Sequence, residues 1–244
     1  MVFANAGEPA HVSRCKNALH LTRCMTPSLA NSPDIVAGVP IPRSPIAVAA
    51  ADAVHACLPD VLAGHAARVF LFASLTLERE RLVCDPDTLY VAAMFASVGL
   101  SSVYVHSQLR YEVDSANAAR TFLQRHGAPA AEQSDVWHAI ALHMTPGIPA
   151  HGSLLARVLS EAVRTDLLAE NLNAYTRAQR DDILQAYPRD SGFKERIIEA
   201  IGRGIVHRPA STFGTVGADV LERIDPEYCR VNFCGLILGS QWKD

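Results

Sequence analysis

No Cys-x-x-Cys pair occurs in the chain. Its six cysteines, at positions 15, 24, 57, 84, 229 and 234 of 244 residues, are too sparse for a disulfide-stapled secreted scaffold. A basic excess is missing too: 22 Lys and Arg against 25 Asp and Glu leave a net charge of −3, with no footprint for nucleic acid. The start, Met1 to Pro9, lacks a basic stretch followed by a long apolar one, so no secretory signal is expected. Apolar runs such as Ile46–Ala51, Leu89–Val98 and Gly235–Leu238 are interrupted or too short to cross a bilayer. These absences predict reduced thiols, a cytoplasmic location, and neither a nucleic-acid nor a membrane partner. Glycine and proline, 14 each, fall short of a collagen-like or linker-like share, and no internal repeat is visible. What is abundant is apolar material, at 49% of residues with 19% charged, which excludes a disordered chain and suits a globular one.

Residues 1–43 mix Ser, Asn and Pro with isolated apolar residues and end in Val39-Pro40-Ile41-Pro42. They read as an irregular arm that drapes over the body or is partly disordered, and that is placed to act as a pocket lid. From Ser44 the pattern turns helical. Ser44-Pro45 caps Ile46–Cys57, Pro59-Asp60 opens Val61–Leu77, and Asp85-Pro86 opens Thr88–Val98, which Gly99 ends. Asp114-Ser115 starts Ala116–His126, and Glu132–Met144, His151–Leu172, Arg177–Ala186, Phe193–Ile205, Gly217–Ile224 and Pro226–Leu238 follow. Ser102–Val105 is a β-branched run that reads as extended but has no obvious partner. The expectation is an all-α, single-domain helical bundle of roughly nine or ten helices over residues 44–244, behind an arm at 1–43.

Ionisable residues fall on several buried stripes. His65 sits among Leu62, Ala66, Val69 and Phe72; His143 completes the stripe of Val136, Ala139 and Ile140; Asp166 follows Leu155, Leu159, Ala162 and Val163. Ser97 follows Tyr90, Ala93 and Met94. One inward histidine is an ordinary core residue. Three inward ionisable groups on three helices each need a partner, because a buried unpaired charge is costly, and the simplest partners are one another around a shared pocket.

Several segments resemble the HD-domain superfamily, specifically its cyanamide-hydratase-like branch. They are Leu58–Phe70 (LPDVLAGHAARVF), Asp87–Met94 (DTLYVAAM), Arg110–Ala119 (RYEVDSANAA), Val136–His143 (VWHAIALH), Val163–Asp166 (VRTD) and Tyr187–Arg189 (YPR). Their order is fairly specific, and the resemblance spans about Pro40 to Trp242. It implies an HD-like helical domain and a metal set of one His, an adjacent His-Asp doublet and a distant Asp. His65 matches the first ligand and Asp166 the last, but Ala96-Ser97 stands where the doublet belongs. Two strong donors are too few for a catalytic zinc or iron shell. Retention would require His143 as a third ligand, or His106 or Glu112 swinging in from the loop.

Without a metal, Asp166 faces His65 as the orienting half of a base pair of the triad type. The leading expectation is therefore a metal-independent and cofactor-free enzyme acting on a small molecule. It would be a hydro-lyase, isomerase or cyclase using general acid–base catalysis by His65, Asp166 and His143, with Ser97 donating a hydrogen bond or serving as nucleophile. Arg68 would hold Asp166 or a substrate anion, Glu112 would line the pocket mouth or favour the helix start, and Trp137 would line the cavity or pack in the core. Two alternatives stay open: a metal-dependent hydratase or hydrolase with substituted ligands, and a non-catalytic pseudoenzyme that binds a small molecule or a protein partner. Homo-oligomerisation is also open. Cys57, Cys84, Cys229 and Cys234 read as small core residues.

Overall fold

The computed structural model describes residues 33–242. Among these are ten α-helices: α1 (Pro45–Cys57), α2 (Asp60–Glu80), α3 (Pro86–Phe95), α4 (Tyr111–Arg125), α5 (Ala130–Leu142), α6 (Leu154–Leu168), α7 (Arg177–Ala186), α8 (Phe193–Ile205), α9 (Gly217–Ile224) and α10 (Phe233–Leu238). The architecture is all-α, and one contiguous core joins α1 to α9. The central element is α2, whose buried residues run from Leu62 to Leu77 on nearly all sides. It packs between α6 and α3, with α8 across its N-terminal half; α5 fills the angle between α4 and α6.

The helix boundaries follow from local chemistry. The Ser44, Asp85 and Ser153 side chains each accept a hydrogen bond from the backbone N–H three residues on, capping α1, α3 and α6. Thr176 and Gln179 form a reciprocal capping box on α7. Arg81 and Ala169, both left-handed at φ 56° and 59°, end α2 and α6.

Six expectations need correction. The arm is not irregular throughout. Ile35–Val36 and Val39–Pro40 pair as a small antiparallel hairpin across Ala37-Gly38, both at positive φ, and bury Val36, Val39 and Ile41 in the core. Residues 1–32, which include Cys15 and Cys24, lie outside the described residues. The third helix stops at Phe95, and Val98–Leu100 forms a separate 3-10 turn. The fourth begins at Tyr111, because Asp114 and Ser115 are spent on tertiary bonds rather than on a cap. The sixth is shorter than His151–Leu172, since Ser153 restarts the chain and Ala169 stops it. Ser102–Tyr104 is a 3-10 turn, not an extended run. The last helix covers only Phe233–Leu238 behind an Asn232 cap.

Two further findings qualify the sequence reading. By length and composition Asp60–Glu80 would be able to cross a membrane, but 78% of its most apolar window is buried within the protein, as in a core helix. Cys57 and Cys84 are half-buried thiols pushed up to about 11 by burial, whereas Cys229 and Cys234 are exposed rather than core.

Candidate functional site

The packing of α2 against α6 brings together groups 101 residues apart in the chain. His65 of α2 bonds through Nδ1 to Asp166 Oδ2 of α6 at 2.6 Å. A carboxylate only accepts, so Nδ1 carries a proton, and in the neutral imidazole Nε2 holds the lone pair. Arg68, one turn along α2, grips the same carboxylate with two bonds, Nε to Oδ1 at 2.7 Å and Nη2 to Oδ2 at 3.0 Å. Its remaining nitrogen, Nη1, donates to the Tyr187 and Pro188 carbonyls, both at 3.3 Å. Arg189 donates to the Asp166 carbonyl and stacks 4.1 Å over the Phe193 ring, and Arg68 lies 4.8 Å over the same ring. Burial alone would push the Asp166 carboxyl up; the bonds and charges of His65 and Arg68 outweigh it and bring it down to about 2.

His143 caps α5 and donates from Nδ1 to the Ile140 carbonyl at 2.6 Å, which fixes its tautomer and leaves Nε2 as an acceptor. Its own carbonyl accepts from Ser160 Oγ on α6 at 2.8 Å. Burial holds its imidazole below the ordinary histidine value, and it is neutral at pH 7. Glu112 favours its charged form, and His65 and Arg110 oppose it. Glu112 is buried and pairs with Arg110 at 2.9 Å, and Tyr111 meets the His143 ring edge-on at 6.1 Å. Neither Nε2, of His65 or of His143, has a hydrogen-bond partner among the described residues.

Other sequence candidates are placed differently. Ser97 is buried just beyond α3, yet no hydrogen bond joins it to His65, His143 or Asp166. Trp137 packs on the outer side of α5, donating to Asn117 at 2.8 Å with Arg120 stacked over it, so it does not line this site. His106 is exposed on the loop after Ser102–Tyr104.

The metal set implied by the HD resemblance does not fit these residues. Ala96 offers no donor, and both Asp166 oxygens are already taken by a guanidinium and an imidazole N–H. Among the described residues no three His, Cys, Asp or Glu side chains gather as a cation shell.

Sequence reasoning missed the strap that fixes this neighbourhood. Arg208, fully buried, pairs with Asp114 and donates to the Gly99 carbonyl at 2.5 Å, while Ser115 Oγ accepts from Gly99 N at 2.8 Å. The segment after Ala96-Ser97 is thus tied to α4 and to the end of α8. No local pattern marks Arg208, because its acidic partner lies 94 residues away. Tyr90 was visible only as an apolar-stripe residue and Phe193 only as the first residue of a helix. Against known proteins, the chain matches no family model and no curated protein, so the chemistry rests on this geometry.

Proposed function

We propose that the chain is a metal-independent enzyme acting on a small molecule by general acid–base catalysis, in a repurposed HD-type pocket. The reading is carried by one observation: Asp166, itself pinned by Arg68, orients His65 through Nδ1 and leaves Nε2 unpartnered. In such a pair the imidazole takes a proton at Nε2, and the fixed carboxylate stabilises the imidazolium that forms. Arg68 keeps Asp166 ionised throughout, so the proton stays on the imidazole. The proton that His65 takes is returned to the product from the same Nε2, while His143, held neutral by burial, offers its Nε2 as an acceptor that orients a substrate N–H or O–H. Asp166 and Arg68 are positioning residues, whereas His65 and His143 touch the substrate. Proton transfer of this kind suits hydration, dehydration, isomerisation or cyclisation of an already reactive compound, and a positioned base contributes roughly 10²–10⁴-fold.

The test uses nitrobenzisoxazole, whose ring opens on removal of one proton, and cyanamide, whose hydration the resemblance suggests. The wild-type chain is expected to accelerate at least one of them, with the rate unchanged by a chelator. His65→Ala is expected to lower it by roughly 10²–10³-fold. A rate abolished by the chelator, or one that His65→Ala leaves intact, refutes the proposal. A second, non-catalytic reading is favoured by burial: His65, His143 and Asp166 are only 5%, 3% and 1% exposed. It predicts no turnover of either probe.

A further inference from the structure

A cavity of about 270 Å³ opens on the side of α2 away from His65. It is nearly twice the ~150 Å³ that accommodates benzene in a protein interior. Its α2 wall consists of Ala63, Gly64 and Ala67, residues too small to fill it. Tyr90 and Met94 of α3 also line it, with Pro188 and Phe193. Tyr90 is 4% exposed and faces this space, fixed by an edge-on contact with Phe70 at 5.0 Å. Its hydroxyl has no hydrogen-bond partner among the described residues. Facing a cavity in which apolar side chains predominate, this hydroxyl can donate to a ligand acceptor in place of water. Burial also keeps the phenol above its ordinary value, so it stays a donor at any physiological pH. The charged residues of its lining, Asp60, Asp190 and Arg196, are all exposed, and Arg196 pairs with Asp190 at 3.3 Å.

We propose that this cavity is a second small-molecule site, taking a single-ring aromatic compound whose carbonyl or ring nitrogen accepts a hydrogen bond from Tyr90 Oη. The small side chains of α2 admit the flat face of the ring, Met94 and Phe193 supply its apolar contacts, and Tyr90 selects for the acceptor. The site uses neither His65 nor His143, so it stands or falls independently of the acid–base proposal.

The probes are acetophenone and α-methylstyrene, which share a shape but differ in that only the ketone accepts a hydrogen bond. Binding to the full chain is followed by the methyl resonance of Met94 and the ring resonances of Phe193. Acetophenone is expected to perturb both at millimolar concentration and to bind better than α-methylstyrene. Tyr90→Phe, which keeps the ring and removes only the hydroxyl, is expected to weaken acetophenone roughly 3–10-fold and leave α-methylstyrene unchanged. Equal binding of the two probes, an unaltered acetophenone affinity in Tyr90→Phe, or perturbations mapping away from Met94 and Phe193 overturns the proposal. If Tyr90→Phe fails to fold, the comparison of the two probes on the wild-type chain decides. Absence of binding by either probe overturns it as well.

Discussion

Asp166 accepts from His65, is clasped twice by Arg68, and sits 1% exposed. Two charges in such a place are expensive to desolvate and still more expensive to separate. Asp166→Asn leaves Arg68 buried without its counter-charge and is expected to cost about 3–5 kcal/mol in denaturant unfolding. Arg68→Met with Asp166→Leu, which removes both charges, is expected to recover much of that loss; a double variant as unstable as the single one contradicts this account. Two limbs of acid sensitivity follow at the same scale. His143 has a depressed value in the folded chain, so its contribution is complete above the unfolded histidine value of about 6.5 and is lost as pH falls below it. Asp166 contributes above its unfolded value of about 3.9, and that share disappears as pH falls toward 2. Thermal melts across pH are expected to show both limbs, and His143→Gln is expected to shrink the upper one, of which His207, lowered by burial as well, keeps a share.

Among elements, the crossing of the Val98–Leu100 turn with α4 is the tightest joint beside the site. A Cβ on Gly99 would lie 2.1 Å from the Tyr111 carbonyl oxygen, which is backbone and cannot yield. A Cβ on Gly202 would meet Ile224 Cδ1 at the same 2.1 Å, but that is the far end of a flexible side chain. Gly99→Ala is therefore expected to destabilise by about 3 kcal/mol or more and Gly202→Ala by about 1 kcal/mol or less, as read by chemical denaturation. This contrast also explains what was legible beforehand. The 3.6-residue stripes of α2, α5 and α6 announced His65, His143 and Asp166, and the Ser and Asp caps announced most helix starts. The start of α4 was misread because Asp114-Ser115 has the composition of a cap but makes tertiary bonds. Arg208 was invisible for the same reason, since long-range ion pairs leave no periodic trace.

Across the whole molecule, the hairpin Ile35–Pro40 belongs to the core rather than to a detachable arm. Removing residues 33–42 uncovers Val36, Val39 and Ile41 and is expected to cost on the order of 4 kcal/mol, lowering Tm by roughly 10 °C. An unchanged Tm would mean that these side chains contribute no net burial. At this scale the sequence was informative about class and weak about juxtaposition. Helical periodicity settled the all-α architecture, whereas the cavity beside Tyr90 depends on how α2, α3 and the start of α8 meet, which no local stretch encodes.

Gly64 stands between the cavity beside Tyr90 and the buried ion pair of Arg68 and Asp166. A methyl group there would stand 3.3 Å from Arg68 Nη1 on one side while projecting from the wall of the cavity on the other. That position is thus a thin wall between a cavity and a buried ion pair. Any side chain bulkier than alanine would press on the guanidinium that holds Asp166, so the cavity cannot be narrowed through this residue without disturbing the ion pair.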